Sequence, residues 1–239
     1  MPHTLSPDDA IFSAEAVKWA KNNRTAIANE FTRIDKYPGE TNPVSVFMAG
    51  SPGAGKTETA KALAKNIQGF LRIDPDDLRA LIPNYNGNNS WLVQEAVSRI
   101  VERILDKAFQ QKQSFLLDGT LSSYTVAEKN IQRCIDRGRE VLIIYVYQNP
   151  KLAWNFVQAR ELQEGRRIPP ERFVEQFFRS HEVVNALKVK FAQSITIDVI
   201  SRNASKTERS YHGNVSDLNH VVPIKYSKEQ VELIANTHK

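Results

Sequence analysis

Apolar residues follow two different rhythms along the chain. Short runs rich in β-branched and aromatic residues read as buried strands: Val44-Ser45-Val46-Phe47-Met48-Ala49, Ser114-Phe115-Leu116-Leu117-Asp118, Val141 to Tyr147 and Ile195 to Ile200, with Phe70-Leu71-Arg72-Ile73-Asp74 a weaker fifth. Between them, spacings of three and four predict helices over Lys56–Ile67, Leu92–Gln113, Tyr124–Arg137, Leu152–Gln163 and Pro170–Gln193. Alternation of this kind predicts an α/β fold with a mostly parallel sheet of about five strands, covered by helices on both faces.

Ser6 followed by Pro7-Asp8-Asp9 is a helix start, with a capping hydroxyl, a ring preset to helical φ and carboxylates at the positive end of the dipole. It predicts N-terminal helices from Pro7 to Arg33, ended before Pro38-Gly39 and Pro43. The expected organisation is N-terminal helices over 1–43, a core over 44–203, and a segment over 204–239 whose amphipathic end, Ser227–Ala235, packs on the body. Phe173, Val174, Phe177, His181, Val184 and Leu187 form one helical stripe, so His181 reads as a packed histidine, and Trp91 and Trp154 read as packing residues too.

Composition narrows the class. The 239 residues are 41% hydrophobic and 25% charged, ordinary values that exclude collagen-like and disordered chains. A lone cysteine, Cys134, excludes an internal disulfide, and no Cys/His pattern has metal-ligand spacing. The acidic N-terminus lacks the basic and apolar regions of a signal peptide and no long apolar run follows, so a cytoplasmic protein without a membrane span is expected. A formal charge of +5 suits an anionic ligand. No basic stripe interleaved with aromatics marks a nucleic-acid track.

One motif names the anion. Gly50-Ser51-Pro52-Gly53-Ala54-Gly55-Lys56-Thr57 fits G-x-x-x-x-G-K-[ST], in which backbone N–H groups cradle phosphates, the lysine reaches the β/γ-phosphates and the hydroxyl ligates Mg²⁺. It follows a predicted strand and opens a predicted helix, whose dipole favours the same ligand. At the end of the next strand-like run, Asp74-Pro75-Asp76-Asp77 reads both as a helix cap and as a source of a general base, with Asp76 or Asp77 able to accept a proton from an attacking hydroxyl. Asp118, just before Gly119-Thr120, stands where P-loop proteins keep an acid near Mg²⁺. Arg160, Arg166, Arg167 and Arg172, beside Gly165 and Pro169-Pro170, suit a mobile lid over about 160–172 that stabilises a transferring phosphoryl group. The loop Asn84-Tyr85-Asn86-Gly87-Asn88-Asn89 offers amides for a sugar or for its own turns.

Together, Gly50–Thr57, Ile73-Asp74-Pro75-Asp76 leading to Arg79 and Pro83-Asn84-Tyr85, Leu117-Asp118-Gly119-Thr120, and the arginine cluster ending at Pro169 resemble the zeta toxin family of bacterial P-loop kinases, over roughly residues 10–203. The resemblance implies binding of ATP or GTP with Mg²⁺, and phosphorylation of a sugar hydroxyl on a UDP-activated amino sugar such as UDP-N-acetylglucosamine. Loss of that precursor stops cell-wall synthesis. By motif position Asp76 matches the general base, Lys56 and Thr57 the phosphate and Mg²⁺ residues, and Arg160 with Arg166 or Arg167 the lid arginines. Asp118, with Thr120, is placed at the substrate and, through water, at the metal; it stands where some members carry Glu. A small helical antitoxin is the partner the family implies. Two competitors share these motifs: a polynucleotide or other small-molecule kinase, and a homologue that binds nucleotide but transfers nothing.

Overall fold

The computed structural model describes residues 5–67, 69–165, 167–202 and 209–237. Helix α1 (Pro7–Phe31) starts as its sequence dictates, the Ser6 hydroxyl accepting from Asp9 N–H at 3.1 Å with Pro7 in the first turn. It buries Ala16, Ala20 and Ala28, and these small residues let it lie along α4 (Gln94–Gln110), to which Ser13 Oγ adds a hydrogen bond on Leu92 O at 2.8 Å.

Six strands follow: β1 (Val44–Ala49), β2 (Leu71–Ile73), β3 (Phe115–Leu117), β4 (Glu140–Gln148), β5 (Thr196–Arg202) and β6 (Arg209–His212), in the order β2-β3-β1-β4-β5-β6. β1 is central, Val46 pairing with both Leu116 and Leu142, and the pairings from β2 to β5 are all parallel. Alternate residues serve opposite faces: Phe47, Phe115, Ile143 and Ile197 pack toward α1, α4, α5 (Tyr124–Ile135) and α7 (Pro170–Phe191). Val46, Met48, Leu116 and Ile144 meet Ala54 and Ala60 of the first loop and of α2 (Lys56–Asn66). The α/β sheet covered on both faces is therefore the observed architecture.

The sheet has one strand more than the apolar runs predict. β6 is antiparallel to β5, Ser210 opposite Ser201, and it forms at the polar edge without an apolar run of its own. Trp91 corrects another expectation: it is 45% exposed, because the chain makes a turn before α4 and leaves its indole outside the core. Trp154 and His181 are buried as expected, the latter edge-on to Tyr145 at 5.9 Å. Helix α9 (Lys228–Asn236), opened by a capping box between Ser227 and Gln230, buries Val231 and Ala235 against α6 (Pro150–Glu164) and α7.

At the end of the sheet where β1 starts, the buried Arg139 ties three segments together. Its Nε donates to Ser45 Oγ at 2.7 Å, and Nη2 donates to Val44 O at 3.1 Å and Gln113 O at 2.6 Å. The guanidinium also stacks over Phe115. Replacing it with Met orphans buried acceptors at about 1 kcal/mol or more each, so Arg139→Met is expected to lower Tm by about 6–10 °C in a chain of this size, by circular dichroism melting.

Candidate active site

The site assembles at the C-terminal ends of β1, β2 and β3, where parallel strands release their loops. After Ala49 the chain turns through Gly50–Gly55 and enters α2, whose first turn has no side-chain cap. Uncapped N–H groups at a helix start are anion donors. Gly53 sits at φ 72° against the first turn of α6, where a Cβ would run into the Ala153 carbonyl oxygen. Lys56 is buried under the loop and its Nζ donates to Ser51 O at 2.6 Å, a charge held inside the turn it serves. Ser51, Pro52 and Ala54 are buried with it, while Thr57 remains partly exposed at the mouth.

The acids lie across β3. Asp74 caps the short helix α3 (Pro75–Arg79), its Oδ1 accepting from Asp76 N–H at 2.8 Å. Burial, with Asp76 and Asp118 nearby, pushes its carboxyl up to about 6. Asp76 pairs with Arg79, which also donates to Gln94 Oε1 at 2.6 Å and so links α3 to the start of α4. The side chains of Asp76 and Asp77 are 32% and 60% exposed. Asp118 is only 2% exposed and accepts from Arg72 Nη2 at 2.9 Å. Two backbone bonds sew the halves together: Gly50 N–H donates to Thr120 O at 3.2 Å, and Asp118 N–H to Ile73 O at 2.9 Å. Thr120 thus stands between phosphate loop and acidic wall, its hydroxyl 2.9 Å from that of Ser122.

On the lid side, Arg160 reaches from α6 to within 3.7 Å of Glu58 in the first turn of α2, which brings it beside the phosphate loop. Arg167 is turned back toward Glu161 at 3.8 Å and Arg172 toward Glu175 at 3.0 Å. Arg166 lies outside the described residues. The asparagine loop spends its amides on itself: Asn89 Oδ1 accepts from Asn86 N–H at 3.1 Å, Asn86 Oδ1 from Asn88 N–H at 3.1 Å, and Asn89 Nδ2 donates to Asn84 O at 3.0 Å.

Arg72 and Gln94 are polar groups that the motifs leave out, while Arg79 closes the Asp74–Asp76 segment of the resemblance without a role given to it. The Asp76–Arg79 spacing of three is a local signal for that pair, and neither Arg72 nor Gln94 has one. Surface grooves of about 510 Å³ beside α1 and about 360 Å³ between α2, from Glu58 onward, and the β5–β6 edge flank this end of the molecule. The donor set at the phosphate loop fits Mg²⁺ carried in on nucleotide phosphates, since Thr57 offers one hydroxyl and Asp118 is engaged by Arg72. Among the described residues no group of three His, Cys, Asp or Glu side chains is placed to hold an ion alone. Mg²⁺ needs only one or two protein ligands when phosphates and water supply the rest.

The fold is shared with known structures. The chain superposes on a structure from the PezAT chromosomal toxin–antitoxin system of Streptococcus pneumoniae with a TM-score of 0.63 at 17% identity, covering 92% of both chains. It matches the AvrRxo1-ORF1:AvrRxo1-ORF2 complex with sulphate ions at 0.60 and 16% identity, and the same complex with ATP at 0.58 and 15%, each over 93% of this chain and 74% of the other. At these identities the TM-scores show a shared fold. No curated protein matches by sequence. The zeta toxin family profile matches residues 27–216, the span that holds the phosphate loop, the acidic wall and the arginine-bearing helix α6, and the chain belongs to that family.

Proposed function

We propose that the protein is a nucleotide-dependent kinase that phosphorylates a sugar hydroxyl of a UDP-activated amino sugar, of the UDP-N-acetylglucosamine type, and acts as the toxin of a toxin–antitoxin pair. The observation that carries this reading is the placement of Asp76 and the Gly50–Thr57 loop at one end of the sheet, joined through β3 by the Gly50–Thr120 and Asp118–Ile73 bonds. A base and a phosphate cradle at one end of the sheet suit in-line transfer.

In this mechanism the loop amides and Lys56 hold the β- and γ-phosphates of ATP or GTP. Thr57, with Asp118 acting through water, would hold Mg²⁺, which neutralises phosphate charge when bound. Asp76 accepts the proton of the sugar hydroxyl as its oxygen bonds to the γ-phosphorus; the bond from that phosphorus to the β–γ bridging oxygen breaks, and the nucleoside diphosphate leaves. Arg160, with Arg166 or Arg167, stabilises charge on the transferring group. Thr120 and Asp118 border the acceptor. The core over 44–203 carries this chemistry, flanked by 1–43 and 204–239.

A small helical antitoxin that blocks the nucleotide site is the proposed partner. The PezAT and AvrRxo1 structures, described as a toxin–antitoxin system and as a two-protein complex, support that assignment. We place the protein's action in the cytoplasm, where a free thiol such as the buried Cys134 stays reduced.

The test is incubation with Mg-ATP or Mg-GTP and a panel of UDP-sugars, with a 5′-hydroxyl oligonucleotide alongside, read by mass spectrometry. One added phosphate on UDP-N-acetylglucosamine is expected. Phosphate on the oligonucleotide alone makes it a polynucleotide kinase, and nucleotide binding without transfer to any acceptor makes it a silent homologue.

A further inference from the structure

The acidic wall poses an electrostatic problem. β2 and β3 are neighbouring parallel strands with Ile73 opposite Leu117, and each is followed at once by an aspartate, so Asp74 and Asp118 leave the sheet side by side. Like charges on adjacent strands repel, and burial removes the water that would screen them. Between them stands Arg72, the middle residue of β2, with its side chain 16% exposed. Its Nη2 bridges Asp74 and Asp118, the latter at 2.9 Å, while Nη1 reaches Asp77 at 3.1 Å. Asp74 passes this constraint on, because its other oxygen accepts from the backbone N–H of Asp76 at 2.8 Å.

We propose that Arg72 is a positioning residue for phosphoryl transfer: it locks α3 and the end of β3 into one rigid wall, and so fixes where Asp76 meets the acceptor hydroxyl. It touches no reacting atom. Its effect runs through Asp74 to the backbone of Asp76 and directly to Asp118. The fork geometry of a guanidinium suits a group that must reach three carboxylates; an ammonium is a single point charge on a flexible stem.

The inference rests on the kinase reading, so its test has an arm that needs no activity. In the kinetic arm, Arg72→Gln is expected to lower kcat about 100-fold, the cost of misplacing a catalytic group by an ångström, with the nucleotide KM within about threefold. Arg72→Lys should recover part of that loss. In the stability arm, Arg72→Gln leaves two buried carboxylates unbridged and should lower Tm by about 6–10 °C. Adding Asp118→Asn to Arg72→Gln should restore at least half of that loss, because the unpaired charge is removed.

If the wild-type protein transfers phosphate and Arg72→Gln keeps its kcat, or changes KM as much as kcat, the positioning role is overturned and the kinase reading stands. Melting losses that simply add in the double variant overturn the bridge, whatever the activity. A wild-type protein without transfer to any acceptor counts against the kinase reading and overturns the positioning role with it, while a Tm restored by Asp118→Asn would still support the charge bridge. Because the double variant carries no unbridged Asp118, it keeps the test readable where Arg72→Gln alone folds poorly.

Discussion

Asp76→Asn is expected to cut kcat by about 1,000-fold, within the range for losing a positioned general base, while nucleotide affinity stays within about twofold. The expectation rests on three features of α3. The backbone of Asp76 is held by the Asp74 cap and not by its own side chain, so the amide variant keeps the helix start. The carboxylate is partly exposed, and in the amide variant Arg79 keeps its bond to Gln94 Oε1. Nucleotide phosphates meet the loop across β3 and do not depend on the base. Asp77→Asn is the control. Asp77 stands one residue further along α3, is more exposed and leans on Arg72, so its change should leave kcat within about threefold. Steady-state assays on the acceptor identified by mass spectrometry separate the two, and expression in bacteria supplies an independent readout, growth arrest lost with Asp76→Asn and kept with Asp77→Asn. Full activity in Asp76→Asn with loss in Asp77→Asn would move the base by one residue, and full activity in both would sink the mechanism.

What the amino-acid pattern reveals, and what it hides, follows from where the determining contacts lie. β1, β3, β4 and β5 are legible because both their faces are covered and their apolar runs are therefore continuous. The phosphate loop is legible because its function needs consecutive residues. β6 is not, because an edge strand needs no apolar run: it is held by pairing with β5, by the Ser201–Ser210 hydroxyl contact at 2.6 Å and by the Tyr211 hydroxyl on Asp198 at 2.8 Å. The partner of α1 is hidden too, since its buried residues are alanines that look the same on any helix. Trp91 shows the reverse error, a large apolar residue whose turn leaves it outside. Asp76 stands out by its place at the end of a strand, yet the groups that hold it do not. Arg72 reads as the outward residue of a short strand, and its bond to Asp118 spans 46 positions, a relation that only the parallel pairing of β2 and β3 creates.

The phosphate loop carries the second large effect. Gly53→Ala is expected to weaken nucleotide binding by at least about 100-fold, a loss near 3 kcal/mol, measured by calorimetric titration with Mg-ATP. Two costs add at this position. A φ of 72° is left-handed, which costs an alanine about 1–2 kcal/mol. The added Cβ also meets the carbonyl oxygen of Ala153, which is backbone and has no rotamer with which to withdraw. Ala153 is fully buried, next to Trp154 in the cluster that joins α6, α7 and α9, so the helix resists being pushed away. The loop must yield instead, and any shift of its amides spoils a cradle whose whole function is the direction of its N–H groups. Gly138→Ala is the control for the stability cost of a left-handed alanine. Gly138 has nearly the same conformation, φ 63°, in the turn between α5 and β4, with open space where its Cβ would go. It should lose stability by about the backbone term alone and bind nucleotide normally. If Gly53→Ala binds nucleotide as tightly as Gly138→Ala does, neither the left-handed turn at Gly53 nor the close approach of the loop to α6 plays a part in shaping the cradle; similar losses of stability with very different binding place the effect in the loop itself.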